Sequence, residues 1–471
     1  MTYSKARLDE LAAKPELIVA ESLNDLYSLS RDEFQTLQLN ALKTRFRALR
    51  NTVPALKKLA DGLGIQEITS LAGAAPLLFQ HVIYKSYPLA LIERSDFVRL
   101  TSWLNGLTTH DLSQVDVSHI KFIDDWLQYL DDNTPLRVVH STGTSGKLSF
   151  LPRSTTEMAD YVKGMLSFYG AFKDEPDFTP RGMKMVIPAY KRGFNAGPRI
   201  VQAMIEELKV ADEDCIALYD FISADLMSLA GRLRSAEAKG ELGKLAMNEH
   251  MEILRERLMK QRANEKNAFN DFFDRAIAQF KGQRVYISST VPQLFKAAEI
   301  AKGKGLTRVF DSKSIVHTGG GLKGETFPDD FLKTICEFIG VDSVREAYGM
   351  TEMMTFMPKC PAGYFHMPPQ LIPYLIDPDS GALLPSSGAH SGRFGFIDLL
   401  TQTYWGGFLT GDHVTLDWDH ECKCGRSGGP VLHANIGRLS EQRGGDDKIS
   451  CAGGADDAHD RAVKFLLEEH A

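Results

Sequence analysis

The residues best suited to chemistry lie in His140-Ser141-Thr142-Gly143-Thr144-Ser145-Gly146-Lys147, directly after the apolar run Leu136 to Val139. Two glycines let the backbone approach a ligand closely, the hydroxyls and exposed N–H groups can hold phosphate oxygens, and the lysine neutralises charge. That is the make-up of a phosphate loop. A Walker A loop needs Gly-x4-Gly-Lys-[Ser/Thr], but Ser141 stands where the first glycine should be and Leu148 where the magnesium-binding hydroxyl should be. The P-loop reading fails at both positions, and taken alone the segment could equally be a plain surface loop.

Two further glycine-bearing segments follow. Gly319-Gly320-Gly321-Leu322-Lys323-Gly324-Glu325 comes after the candidate strand Ser314 to Thr318, and Glu346-Ala347-Tyr348-Gly349-Met350-Thr351-Glu352 after the next helix and strand. Loops at strand ends are where ligands bind in open α/β sheets. The first contains Gly-x-Gly-x-x-Gly, but the next helix signal, Pro328-Asp329-Asp330, comes several residues too late for a dinucleotide fingerprint. A different chemistry is offered by Cys360, His366, Cys422 and Cys424. Three thiolates and an imidazole can complete a closed tetrahedral zinc site, structural rather than catalytic. Their spacing is not that of a zinc finger, so free cysteines are the alternative.

The elements that must carry these residues alternate. Lys184 to Pro188, Val285 to Ser288 and Ser314 to Thr318 are apolar or β-branched runs, and a helical pattern at Phe331 to Ile339 follows the last of them. This predicts βαβ units and a largely parallel sheet, an α/β fold. Residues 1–135 are rich in helix formers, with Leu37, Leu39, Leu42, Phe46 and Leu49 at amphipathic spacing. Helical spacing between Asp225 and Lys281 predicts two or three surface helices. From Gly381 onward Gly and Pro become dense and β-type runs such as Phe394 to Leu400 appear, which predicts a smaller β-rich subdomain.

With 471 residues, 43% of them hydrophobic, the chain can bury a large core. Its net charge of -7 and dispersed Lys and Arg argue against nucleic acid as a partner. Met1 to Leu23 carries seven charged residues and lacks a signal-peptide core, no stretch is apolar enough to span a membrane, and six cysteines are too few for a disulfide scaffold. A cytoplasmic protein is expected.

In order along the chain, Ser141 to Lys147, Gly319 to Gly321, Tyr348-Gly349-Met350-Thr351-Glu352, Thr410-Gly411-Asp412 and Gly437-Arg438 resemble the motifs of the adenylate-forming superfamily. Within it the chain is similar to the phenylacetate-CoA ligase-like and acyl-protein synthetase-like branch, whose Cys-x5-His and Cys-x-Cys-Gly-Arg arrangement resembles the four zinc candidates. The resemblance implies ATP-dependent activation of a fatty or aromatic carboxylic acid to an acyl-adenylate, with release of pyrophosphate, followed by transfer to a thiol or amine. It implies that Ser141, Thr142, Gly143, Thr144, Ser145, Gly146 and Lys147 steady the β- and γ-phosphates. Gly319, Gly320, Gly321 and Gly349 would line the nucleotide, Tyr348 would lie beside adenine, Thr351 would reach the α-phosphate and Glu352 would hold Mg²⁺. Asp412 would take the ribose hydroxyls, with Arg438 near the same sugar. Lys147, Thr351 and Glu352 are the catalytic candidates.

The same resemblance divides the chain into a helical part of the adenylation domain at 1–135, an adenylation core with a β-rich end at 136–437, and a hinge with a short C-terminal segment at 438–471. Only 33 residues follow Arg438, so the family's C-terminal domain and its lysine are expected to be truncated here. Lys448 could stand in, or a second copy of the chain in a homo-oligomer could supply the lysine. The acceptor could be coenzyme A, a carrier-protein thiol, an amine or Cys451. Tyr190 to Gly197 and the loop around Leu322 are candidate pocket walls. The other reading of the same motifs is a catalytically inactive nucleotide-binding subunit or regulator.

Overall fold

The computed structural model describes residues 3–141, 147–169, 183–241, 249–262, 268–319 and 326–439. These cluster into two compact units, one within Met1–Val139, Phe150–Phe178 and Tyr348–Ile449, the other within His140–Ser149 and Thr179–Ala347.

The second unit is built on parallel strands in the spatial order Cys215–Ile222, Lys184–Gly193, Val285–Ser289, Ile315–Thr318 and Arg345–Tyr348, the last residue of which is counted with the first unit. Helices cover the sheet, so the inner strands Val285–Ser289 and Ile315–Thr318 are largely buried on both faces and read as apolar runs instead of alternating ones. Val186, Ile216, Leu218, Val285, Ile287 and Val316 pack against Phe272, Phe273, Phe280, Leu294, Ile335 and Phe338 in one continuous core. The helix at Phe331–Ile339 has the predicted bounds. The strand predicted to stop at Pro188 continues to Gly193, because its pairing with Cys215–Ile222 shifts register between Ile187 and Tyr190 and so accommodates a residue that cannot donate to the ladder. The span from Asp225 to Lys281 holds the helices Ala224–Ala238, Glu249–Arg262 and Ala268–Phe280.

The first unit joins a helical segment to an antiparallel sheet. Leu371–Ile376, Ala389–Asp398 and Gly407–Asp417 are its long strands, and Val431–Leu432, Phe365–His366 and Gly437–Arg438 are short additions. The helix Arg31–Leu49 starts on a capping box, in which Ser30 and Glu33 satisfy each other's backbone N–H groups. Its buried stripe Phe34, Leu37, Ala41, Leu42, Phe46 and Leu49 follows the 3.6-residue period. Two buried polar residues on it reach the sheet segment, where Gln38 Nε2 donates to the Leu371 carbonyl and Arg45 Nε to that of Leu399, each at 3.0 Å. The N-terminal part also lends a short strand, Phe79–Gln80, which pairs parallel with Phe408 and Leu409. No helix among the described residues is long and apolar enough to cross a membrane.

Candidate active site

In the first unit three of the candidate residues meet at the strand Gly407–Asp417. Its antiparallel pairing with Gly437–Arg438 sets Asp412 opposite Arg438, and Arg438 Nη1 lies 2.6 Å from Asp412 Oδ1. The Tyr348 hydroxyl donates to Asp412 Oδ2 at 2.6 Å. Buried Thr410 steadies the carboxylate's backbone: its Oγ1 accepts from the Asp412 N–H at 3.0 Å and donates to the Phe394 carbonyl at 2.8 Å. Desolvation pushes the Tyr348 phenol well above its ordinary pKa, and the Asp412 charge adds to that.

The loop after Tyr348 carries Gly349, Thr351 and Glu352, and it is held by two buried charges that the sequence reading did not single out. Arg153, on the strand Phe150–Ser154 and 1% exposed, donates through Nη2 to the carbonyls of Thr351 at 2.7 Å and Met353 at 2.6 Å. Its guanidinium lies 5.2 Å from the centre of the Tyr161 ring. Asp398, fully buried at the end of Ala389–Asp398, accepts from the Met354 N–H at 2.8 Å, the Thr355 hydroxyl at 3.1 Å and the Leu400 N–H at 3.0 Å. Burial pushes the Asp398 carboxyl up to about 6, against the pull of those donors and of Arg153. A third buried charge, Glu157, accepts from the backbone N–H groups of Ser154 at 2.7 Å, Gln402 at 2.6 Å and Thr403 at 2.9 Å and from the Thr403 hydroxyl. Ser154-x-x-Glu157 is a capping box legible in the sequence. Glu352 is partly exposed as a residue, yet desolvation of its carboxyl raises its pKa and Asp412 raises it further, while its own backbone N–H, Arg153 and Lys85 pull it down.

Cys360, His366, Cys422 and Cys424 come together, with one ligand atom from each lying within 4.8 Å of the others. Cys360 Sγ is 3.7 Å from Cys422 Sγ, and Cys424 Sγ is 3.2 Å from His366 Nε2. The sulfurs are too far apart for a disulfide, and a tetrahedron with zinc–sulfur bonds of about 2.3 Å has sulfur–sulfur edges of about 3.8 Å. Both cysteine loops close in the same way. The Gly363 N–H donates to the Cys360 carbonyl and the Gly425 N–H to the Cys422 carbonyl, each at 2.9 Å, with φ of +90° and +82° that a side chain would disfavour. Tyr27 braces the cluster from the N-terminal part, its hydroxyl donating to the His366 carbonyl at 3.1 Å while Arg426 lies 5.3 Å from its ring centre. The donor set and spacing fit a closed four-ligand zinc site.

In the second unit, Ser141 and Ser149 close the base of the loop: the Ser141 N–H donates to the Ser149 carbonyl at 3.1 Å, and the Ser149 N–H to Ser141 Oγ at 3.0 Å. Lys147 follows on the returning arm, and Thr142, Gly143, Thr144, Ser145 and Gly146 lie outside the described residues. Fully buried His140 anchors this base. Its N–H donates to the Phe194 carbonyl at 2.9 Å, its Nδ1 lies 2.7 Å from the Ser141 carbonyl, and burial lowers its pKa to about 4. A Cβ on Gly319 would lie 3.8 Å from the Ala347 carbonyl, an ordinary contact, so packing does not require glycine there. Gly320, Gly321 and Leu322 lie outside the described residues, as do Lys448 and Cys451. Of the suggested pocket walls, Tyr190 packs on Tyr219 with ring centres 4.9 Å apart, and Phe194 lies 4.7 Å from the Arg199 guanidinium.

No protein-family model matches the chain, and no curated protein matches it. Solved structures do. An open conformation of 2-hydroxyisobutyryl-CoA ligase in complex with 2-HIB-AMP and CoA superposes with a TM-score of 0.51 at 14% identity, covering 87% of this chain and 71% of that one. ATP-bound MatB from Rhodopseudomonas palustris gives 0.34 at 14% identity, covering 64% of this chain and 47% of its own. The amide bond synthetase McbA from Marinactinospora thermotolerans gives 0.33 at 16%, covering 63% and 47%. The fold assignment rests on the first. The chain has the fold of the adenylate-forming superfamily, a mixed α/β architecture with a parallel sheet and a separate β-rich sheet.

Proposed function

We propose that the chain activates a carboxylic acid with ATP. A substrate carboxylate oxygen forms a bond to the α-phosphorus, the bond from that phosphorus to the bridging oxygen breaks, and pyrophosphate leaves with the electron pair. The acyl-adenylate then loses AMP to a thiol or amine that attacks its carbonyl carbon. The observation that carries this reading is the convergence of Tyr348 and Arg438 on Asp412, together with a loop through Thr351 and Glu352 whose Thr351 and Met353 carbonyls and Met354 N–H are held by buried charges. Developing negative charge on phosphate oxygens calls for prearranged donors and cations. Lys147 and the loop from Ser141 to Gly146 steady the β- and γ-phosphates. Gly319, Gly320, Gly321 and Gly349 let backbone approach the nucleotide, and Tyr348 lies along adenine. Thr351 donates to the α-phosphate, and Asp412 accepts from the ribose with Arg438 beside it. Glu352 is the Mg²⁺ ligand; the cation, when bound, neutralises charge on the phosphates, and Glu352 is a carboxyl whose ionised form lacks full solvation without one.

Zinc at Cys360, His366, Cys422 and Cys424 is structural, since four protein ligands leave no open position. The Tyr190 to Gly197 wall, with its aromatic side chains, suits an apolar or aromatic acid. The acceptor is coenzyme A, a carrier-protein thiol, an amine or Cys451. Acid-dependent exchange of labelled pyrophosphate into ATP over a panel of fatty and aromatic acids tests the reading. No exchange with any acid, but retained ATP binding, would instead favour a nucleotide-binding subunit without turnover. Labelled acyl groups that stay on denatured wild-type protein but not on Cys451→Ala would identify the acceptor as internal.

A further inference from the structure

We propose that Arg153 and Asp398 are positioning residues that fix Thr351 and Glu352 for adenylation. The proposal rests on the function proposed above. Between them the two side chains hold the carbonyls of Thr351 and Met353, the N–H of Met354 and the hydroxyl of Thr355, four polar groups on five consecutive residues. Glu352 lies between the two carbonyls that Arg153 holds. Neither charged group is at the surface: Arg153 is 1% exposed and Asp398 0%. Removing an ion from water costs several kcal/mol even after relaxation, and well-packed apolar side chains of similar volume often stabilise a core as well or better. A device that only had to fill space would not need these charges.

Their bonds also have a direction that packing does not explain. Arg153 takes carbonyls and Asp398 takes N–H and O–H donors, so the loop is gripped by both kinds of backbone group from strands on either side of it in sequence. Both clamps are themselves held. Arg153 Nε lies 3.4 Å from the Tyr404 hydroxyl and the guanidinium faces Tyr161, while Asp398 is tied to its own turn through the Leu400 N–H. A reacting constellation needs its side chains within about 0.5 Å of the productive geometry, and misplacement by about 1 Å can cost about 100-fold in rate. Two buried anchors on the loop supply that tolerance.

The test uses Arg153→Met, Arg153→Lys and Asp398→Asn in the full chain, with two readouts. The first is acid-dependent ATP–pyrophosphate exchange, separated into kcat and KM for ATP. The second is amide hydrogen exchange over residues 350–355, which needs no turnover. Arg153→Met and Asp398→Asn should lower kcat about 100-fold with KM for ATP changed less than about threefold, and should speed amide exchange at Met354. Arg153→Lys, which keeps the charge and is the variant to read if the methionine form does not fold, should recover part of kcat. Unchanged kcat, a loss confined to KM, or amide protection equal to wild type in every variant overturns the proposal. A wild-type chain with no acid-dependent exchange overturns the adenylation reading itself, and the amide measurement then decides separately whether Arg153 and Asp398 hold the loop.

Discussion

The Tyr348 hydroxyl and the Asp412 carboxylate, 64 positions apart in sequence, share a hydrogen bond of 2.6 Å. A hydrogen bond to a buried charged acceptor contributes about 1.5–3 kcal/mol. Tyr348→Phe should therefore lower the unfolding free energy by about that amount in urea denaturation. Arg438→Gln should cost less, because its side chain is 29% exposed and solvent takes over part of the ion pair. Asp412→Ala should cost the most, since it leaves both partners without their acceptor, and should abolish most ATP–pyrophosphate exchange. Equal stability of Tyr348→Phe and wild type would show that the bond contributes nothing.

The four-residue cluster predicts a metal content. Protein purified without chelator should carry about one zinc per chain, bound by Cys360, His366, Cys422 and Cys424. Strong chelation should lower the melting temperature and raise the number of thiols that react under native conditions, because metal binding to a closed site is coupled to folding. Cys422→Ser should reproduce both changes. A chain that is metal-free as isolated and melts at the same temperature with chelator would refute the site.

What the sequence disclosed and what it hid follow from the range of the interactions. Tyr348, Thr351, Glu352, Asp412 and Arg438 stand in short consecutive motifs, and the cysteines and histidine announce themselves by ligand type. Arg153 and Asp398 announce nothing, because their partners are backbone groups and, for Arg153, lie 198 and 200 positions away. The one local cue, Ser154-x-x-Glu157, marks a helix start but not the reach of Glu157 to Gln402 and Thr403. The parallel strands at Val285–Ser289 and Ile315–Thr318 were legible because burial on both faces makes them apolar runs, and the helix Phe331–Ile339 because its stripe is clean. Cys215–Ile222, at the sheet's edge, mixes Tyr219 and Asp220 into its run, so no such signal marks it.

His140 gives a pH-dependent contribution of predictable sign. Burial lowers its pKa to about 4, whereas in the unfolded chain a histidine titrates near 6.5. Between those values the unfolded state binds a proton that the folded state refuses, so stability falls as pH drops through that window and is unaffected above it. His140→Gln should flatten the fall between about pH 6.5 and 4 by up to about 3 kcal/mol, read as the difference in urea midpoints between the two proteins across pH. An identical pH profile would mean that His140 is protonated in place.

Asp398 works in the opposite sense. Burial raises its carboxyl to about 6, against about 3.9 in an unfolded chain, so over that range the folded state holds a proton that the unfolded state has released. Its contribution to stability is fully present below about pH 4, declines as pH rises, and levels off above about 6. Asp398→Asn has no such titration. Its amide presents a donor where one carboxylate oxygen now accepts from Met354 or from Leu400 and Thr355, so one of those buried donors loses its partner at every pH, a cost of about 1–3 kcal/mol. The wild-type advantage over Asp398→Asn should thus be largest near pH 4 and shrink by up to about 3 kcal/mol by pH 7. A difference that stays constant from pH 4 to 7 would mean that its donors, with Arg153 nearby, keep Asp398 ionised throughout, and that burial does not govern its charge.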